Sequence, residues 1–223
     1  MKPLLIFDMD GVLVDVTASY REAIAQTVVH FTDIEITNQQ IQDYKNQGGW
    51  NDDWQLSHHI VTNLGVNATF AEVKAHFQSI FLGKNGLIMR EQWVARPGVL
   101  EKLNGQFRFA LFTGRPRHEA EFTLQRFAPE MLFDPIIGMY EVENHKPAPD
   151  GLLQIAGPNG GAHLFYVGDT VDDARCAKAA HVPFIGIAAP SNPRYLDLVF
   201  LFQAEGAYAI IDDINYLEEV FSS

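Results

Sequence analysis

Leu4-Leu5-Ile6-Phe7-Asp8-Met9-Asp10-Gly11-Val12-Leu13-Val14-Asp15 is the stretch whose reading decides the fold. Leu4 to Phe7 is a short, dense apolar run, the signature of a strand buried on both faces. It stops at Asp8. Asp8 and Asp10 are two residues apart, so they start out on one side of an extended chain. Gly11 lets the backbone turn sharply just after them. Their place at the C-terminal end of a strand is where open α/β sheets bind ligands. Two converging carboxylates repel each other unless a cation or a shared proton intervenes. Mg²⁺, a hard ion that takes oxygen ligands, is the natural partner. The plainer reading is a strand-to-turn junction with Asp as a turn former.

The same pattern recurs along the chain. Phe107 to Phe112, Pro135 to Ile137, Leu164 to Val167, Phe184 to Ile187 and Tyr208 to Ile211 are further short apolar runs, separated by helical patterns. This alternation predicts a Rossmann-like parallel α/β sheet flanked by helices. The interval between the first two strands is long, about ninety residues, where a plain crossover needs far fewer. It shows no convincing strand. Tyr20, Ile24, Thr27, Val28 and Phe31 follow helical spacing. Asn51 is a candidate cap for a helix carrying Trp54, Ile60, Val61 and Leu64, with Gly65 after its end. Thr69-Phe70-Ala71-Glu72 is a capping-box pattern that opens a helix closed by Gly83. The expected organisation is an α/β core of residues 1–15 and 94–223 with an all-helical cap domain, residues 16–93, inserted into it.

Three later strand ends carry chemistry. Thr113 and Gly114 in Leu111-Phe112-Thr113-Gly114-Arg115-Pro116 offer a hydroxyl and an unobstructed backbone N–H, both suited to a phosphate oxygen. Arg115 adds either a second contact to an anion or a pairing with a nearby surface acid. In His145-Lys146-Pro147-Ala148-Pro149-Asp150 the prolines stiffen a loop that can hold Lys146 as a fixed point charge. In Gly168-Asp169-Thr170-Val171-Asp172-Asp173 the strand ends at Asp169, and Asp172 or Asp173 opens the next helix. Helix capping accounts for one of these acids and poorly for Asp169.

These motifs together resemble the haloacid dehalogenase superfamily of phosphohydrolases, in the subfamily with a helical cap between the first and second motifs (phosphoglycolate phosphatase-like and β-phosphoglucomutase-like). The resemblance covers essentially the whole chain. It implies that Asp8 is the nucleophile, that Asp10 is the general acid and then base, and that Thr113, Gly114 and Lys146 stabilise the phosphoryl oxygens. Met9 is expected to contribute a backbone N–H and a packed side chain. Mg²⁺ is expected on the Asp8 carboxylate, the Asp10 backbone carbonyl and Asp169, with Asp173 as a further contact. Asp10 favours phosphate chemistry over carbon–halogen cleavage. Gln47-Gly48-Gly49-Trp50-Asn51-Asp52-Asp53-Trp54 looks like the specificity loop of such caps. Trp50, Asn51 and Asp52 are its candidate substrate contacts. Alternatively, its tryptophans are cap core and its polar residues a helix start. The implied activity is a phosphatase acting on a small phosphorylated metabolite. A phosphomutase and a noncatalytic phospho-ligand-binding protein on the same fold are the alternatives.

Composition sets outer bounds. Of 223 residues, 47% are apolar and 20% charged, which excludes a disordered chain. The net charge of −12 argues against nucleic acid or an anionic membrane surface as partner, because both need a basic face. It does not exclude a small phosphate ester. A monomer or loose homodimer suits a cap that opens and closes. The first apolar run is too short for a secretory signal core, and no later one approaches ~18 residues, so a cytoplasmic protein is expected. The single cysteine, Cys176, cannot form an internal disulfide and reads as a buried structural thiol among small residues.

Overall fold

The computed structural model describes residues 2–157 and 163–222. Six strands form one parallel sheet: β1 (Leu4–Phe7), β4 (Arg108–Phe112), β5 (Phe133–Ile137), β6 (Leu164–Gly168), β7 (Phe184–Ile187) and β8 (Ala209–Ile211), in the order β5-β4-β1-β6-β7-β8. All six coincide with the apolar runs, to within a residue or two at their ends. Side chains alternate across the strands. Leu5 and Phe7 enter one core with Phe109, Leu111, Val167 and Ile185. Leu4 and Ile6 enter the other with Ala110, Phe112, Tyr166 and Phe184. Burial on both faces explains why these strands read as continuous apolar runs. The helices of this unit are α5 (Val99–Gln106), α6 (Arg117–Phe127), α7 (Asp150–Ala156), α8 (Val171–Ala180), α9 (Tyr195–Glu205) and the short α10 (Leu217–Val220).

The chain reverses direction across the sheet at β1. From β1 it proceeds to β4 and β5 on one side, then returns to β6 on the other. The C-terminal ends of β4, β1 and β6 therefore flank a topological switch point, the crevice in which open α/β sheets hold ligands.

Between β1 and β4 lie α1 (Tyr20–Thr32), α2 (Asn38–Gln47), α3 (Asp53–Asn63) and α4 (Phe70–Phe81). Tyr20, Ile24, Val28, Trp54, Ile60, Val61, Val73, Phe77 and Phe81 bury one another in a cluster of their own, which Met139 joins from the sheet unit. The Thr69 capping box is formed: Glu72 N–H donates to the Thr69 hydroxyl at 3.3 Å, and Thr69 N–H donates to the Glu72 carboxylate at 2.8 Å. Two expectations need correction. The cap of α3 is Asp52, whose Oδ1 accepts from Trp54 and Gln55 N–H, and not Asn51. The inserted segment also contains a strand. β2 (Val14–Asp15) pairs antiparallel with β3 (Gln92–Trp93), joining the outgoing and returning connections to the helices. Two residues per strand are too few to leave a periodic signal. Among the described residues, no helix is long and apolar enough to cross a membrane.

Candidate active site

The centre of the site is a buried charge cluster at the switch point. Asp8, one residue past β1, is 4% exposed and accepts a hydrogen bond from Met9 N–H at 2.7 Å. Lys146 Nζ lies 3.2 Å from Asp8 Oδ1 and 2.8 Å from Asp173 Oδ1. Asp173 also accepts from the Tyr166 hydroxyl at 2.6 Å and from the Thr170 hydroxyl and N–H at 2.7 and 3.0 Å. It is the third residue of α8, so its carboxylate also completes a capping box with Thr170. One carboxylate thus closes a helix end and faces the site.

The electrostatics follow from burial with too few counter-charges. Burial pushes the Asp8 carboxyl up, against the pull of Lys146. Burial acts on Asp173 in the same sense, but Lys146 and the hydrogen bonds from Tyr166 and Thr170 outweigh it and hold that carboxyl below its ordinary range. Asp169 is pushed well up by burial and by the neighbouring acids Asp173 and Asp8. Its Oδ1 is buried without a hydrogen-bond partner. Oxygen atoms of Asp8, Asp169 and Asp173 lie within 4.8 Å of one another. Two buried carboxylates sharing one ammonium, with a third, partly buried carboxylate beside them that keeps an orphaned oxygen, fit a hard divalent cation. Gly11 makes room for this arrangement. Its φ is +69°, and a Cβ there would lie 1.9 Å from Asp169 Oδ2.

Asp10 stands outside this carboxylate triad. Arg115 Nε donates to its Oδ1 at 2.6 Å, and Arg115 Nη2 pairs with the same oxygen. The expected alternative of a surface acid as partner for Arg115 is therefore corrected: it pairs with acids of the site and the interior. The guanidinium is buried, and its partners are Asp10 and the buried Glu91, whose Oε1 is 2.7 Å from Nη2. Thr113, one residue past β4, is 1% exposed, and its hydroxyl accepts from Arg115 N–H at 3.2 Å. Gly114 follows, with Asn51 Nδ2 only 2.4 Å from where a Cβ would sit. Asp8, Asp10, Thr113, Gly114, Lys146, Asp169 and Asp173 thus converge from distant parts of the chain.

The loop from Gln47 to Trp54 closes over them. Asn51 and Asp53 line a cavity shared with Asp8, Asp10, Gly114 and Asp169. Burial raises the Asp53 carboxyl, opposed by Lys45, whose Nζ is 2.5 Å away. Asp52 lines a neighbouring recess, but its carboxylate is occupied in capping α3. Trp50 packs on Tyr44 and His59 within the helical cluster, and Trp54 is 4% exposed there. Across the gap, Gly49 N–H donates to both oxygens of Asp172 at 2.8 and 2.9 Å, and Arg194 pairs with Asp43 at 2.5 Å. Arg21 and Lys45 also line the cavity. They are isolated cations on helices, with no spacing signal that marks them. Cys176 is buried and donates to Ala148 O at 3.1 Å, and burial pushes its thiol up to about 12.

Imidazoleglycerol-phosphate dehydratase from Phytophthora nicotianae is 34% identical over 200 residues, spanning 84% of this chain and 44% of that protein. Phosphoglycolate phosphatase from Escherichia coli K12 is 33% identical over 106 residues, 47% of this chain and 41% of that one. The chain therefore matches less than half the length of either. The crystal structure of a predicted phosphoglycolate phosphatase from Haemophilus somnus superposes over 99% of this chain and 98% of its own, with a TM-score of 0.76 at 19% identity, a likeness of fold. The model of the haloacid dehalogenase-like hydrolases matches residues 5–187. The chain belongs to the haloacid dehalogenase-like hydrolase family.

Proposed function

We propose that the protein is a Mg²⁺-dependent phosphatase that hydrolyses a small phosphate monoester through an aspartyl-phosphate. The observation that carries this reading is the pairing of a buried Asp8 with Lys146 inside the Asp8–Asp169–Asp173 triad, with a second carboxylate, Asp10, held just outside it. Phosphorylated substrates of the named relatives point the same way.

In this reading an Asp8 carboxylate oxygen attacks phosphorus while the bond to the ester oxygen breaks. Asp10 gives its proton to that leaving oxygen, releasing the alcohol. Water then attacks the phosphoryl group and passes a proton back to Asp10, which frees inorganic phosphate and restores Asp8. Lys146, the Thr113 hydroxyl and the Gly114 N–H stabilise the charge on the transferring group. Asp8, Asp169 and Asp173 would hold Mg²⁺, with the Asp10 carbonyl as a further ligand, and the bound ion would supply positive charge to offset the phosphoryl oxygens and the crowded acids. Residues 16–93 act as a cap that excludes water, and Asn51, with Asp53 beside it, faces the leaving group.

The test is phosphate release from p-nitrophenyl phosphate with and without Mg²⁺, comparing wild type with Asp8→Asn. Activity that needs both Mg²⁺ and Asp8 is expected. Equal activity in the two proteins overturns the mechanism. Release of stoichiometric inorganic phosphate separates hydrolysis from a mutase, which returns the phosphoryl group to its substrate.

A further inference from the structure

Resting on the phosphatase reading, we infer that Arg115 is a positioning residue for Asp10: anchored by Glu91 and Thr123, it fixes the carboxylate that exchanges protons with the leaving group. Both Arg115 contacts to Asp10 fall on a single oxygen, Oδ1. Among the described residues none donates to Oδ2, so one oxygen is tethered and the other is free for chemistry. A carboxyl held in this way cannot spin about its Cβ–Cγ bond without breaking the charge-assisted hydrogen bond from Nε and the ion pair with Nη2.

The anchor is as well built as the contact. Arg115 Nη1 donates to the Thr123 hydroxyl at 3.1 Å, and that hydroxyl donates to Glu91 Oε2 at 2.8 Å. Glu91 Oε1 meets Nη2 on its other side. The face of the guanidinium lies 4.7 Å from the Tyr20 ring, whose hydroxyl donates to Glu119 at 2.5 Å. Three residues, Tyr20 from α1, Glu91 from the returning connection and Thr123 from α6, thus grip a side chain that is 1% exposed, while the Asp10 side chain it serves is 27% exposed. The exposed end of the network is the end that meets substrate. Lysine at this position would keep the charge but lose the fork that binds Asp10 and Glu91 together.

The experiment compares two esters that differ in how much they need a proton on departure: p-nitrophenyl phosphate, with an acidic leaving group, and glycerol 1-phosphate, with an alkoxide. The variants are Arg115→Met, Arg115→Lys and the double variant Arg115→Met with Glu91→Gln. The double variant removes both buried charges and avoids an unpaired Glu91. General acid catalysis is worth about 10²–10⁴-fold. The kcat/KM for the alkyl ester is therefore expected to fall about 10²-fold in both Met variants, and that for the aryl ester only a few-fold. Arg115→Lys lies between. For the aryl ester, Asp10 is still needed to deprotonate water, so nitrophenol should appear in a burst that approaches one equivalent of enzyme. Parallel losses on both esters, losses confined to KM, or no loss overturn the positioning role and leave the phosphatase reading standing. A wild type inactive on both esters overturns both.

Discussion

Replacing Lys146 with methionine tests the charge balance on which the whole site depends. The Lys146 side chain is 1% exposed, and its two partners, Asp8 and Asp173, are 6% and 0% exposed. Removing one member of a buried ionic group costs about 3–5 kcal/mol, because the remaining charges keep their desolvation penalty. In this cluster two carboxylates would be left facing each other and Asp169, so the upper half of that range is expected. For a chain of this size 1 kcal/mol shifts Tm by about 2–4 °C, so a fall of roughly 10–15 °C is predicted in a chelator. The measurement is thermal unfolding by circular dichroism, with and without Mg²⁺. Mg²⁺ at a hundred times its Kd returns about 2.7 kcal/mol. Its stabilising effect should be larger in Lys146→Met than in wild type, where the ammonium competes for the same carboxylates. Adding Asp173→Asn to the variant removes one uncompensated charge and should recover part of the loss. A loss under about 1 kcal/mol that neither Mg²⁺ nor Asp173→Asn alters would refute the reasoning.

Gly11→Ala places a methyl group 1.9 Å from Asp169 Oδ2 at a φ of +69°, so Asp169 must move. Mg²⁺ affinity, read from thermal shifts, should fall at least about tenfold. Asp172→Ala removes the carboxylate that receives Gly49 N–H, and amide hydrogen exchange across residues 47–53 should speed up while the sheet stays protected. Unchanged exchange would mean that other contacts hold this loop. His76 stacks on His30 at 3.7 Å, and burial, with the proximity of His30, lowers its pKa from the ordinary 6.5. The unfolded chain therefore binds the proton first as pH falls. The stability this pair contributes is complete above the ordinary value and lost as pH drops through it towards the folded one. His30→Gln should flatten the acid limb of a Tm-versus-pH curve.

The sheet was legible because its signals are local. Strands buried on both faces are unbroken apolar runs, and the Thr69 box lies within four residues of sequence. α2, Asn38–Gln47, opens with a capping box of the same kind, Thr37 with Gln40, but only Ile41 and Gln42 are buried, so no apolar stripe marks its length. Asn51 and Asp52 are equally good caps on paper, and only the path of the backbone chose Asp52. Asp8, Thr113 and Asp169 were identifiable because each follows or ends a strand, where the topology must bring them together, and Lys146 because prolines stiffen the loop that carries it ahead of α7.

By itself the sequence determined the six strands of the sheet, the helical insertion after β1, and the acids, Thr and Lys that carry the candidate chemistry. The tertiary structure decided who partners whom. Arg115 and Asp10 are 105 residues apart, and Gly49 and Asp172 are 123 apart. Hydrophobic periodicity records which face of an element is buried. The pairing of charges is a property of three-dimensional distance, because a buried guanidinium takes whichever carboxylates the fold delivers. That is why Arg115 reads in sequence as a residue beside a phosphate-binding turn, and in the structure as the tether of Asp10.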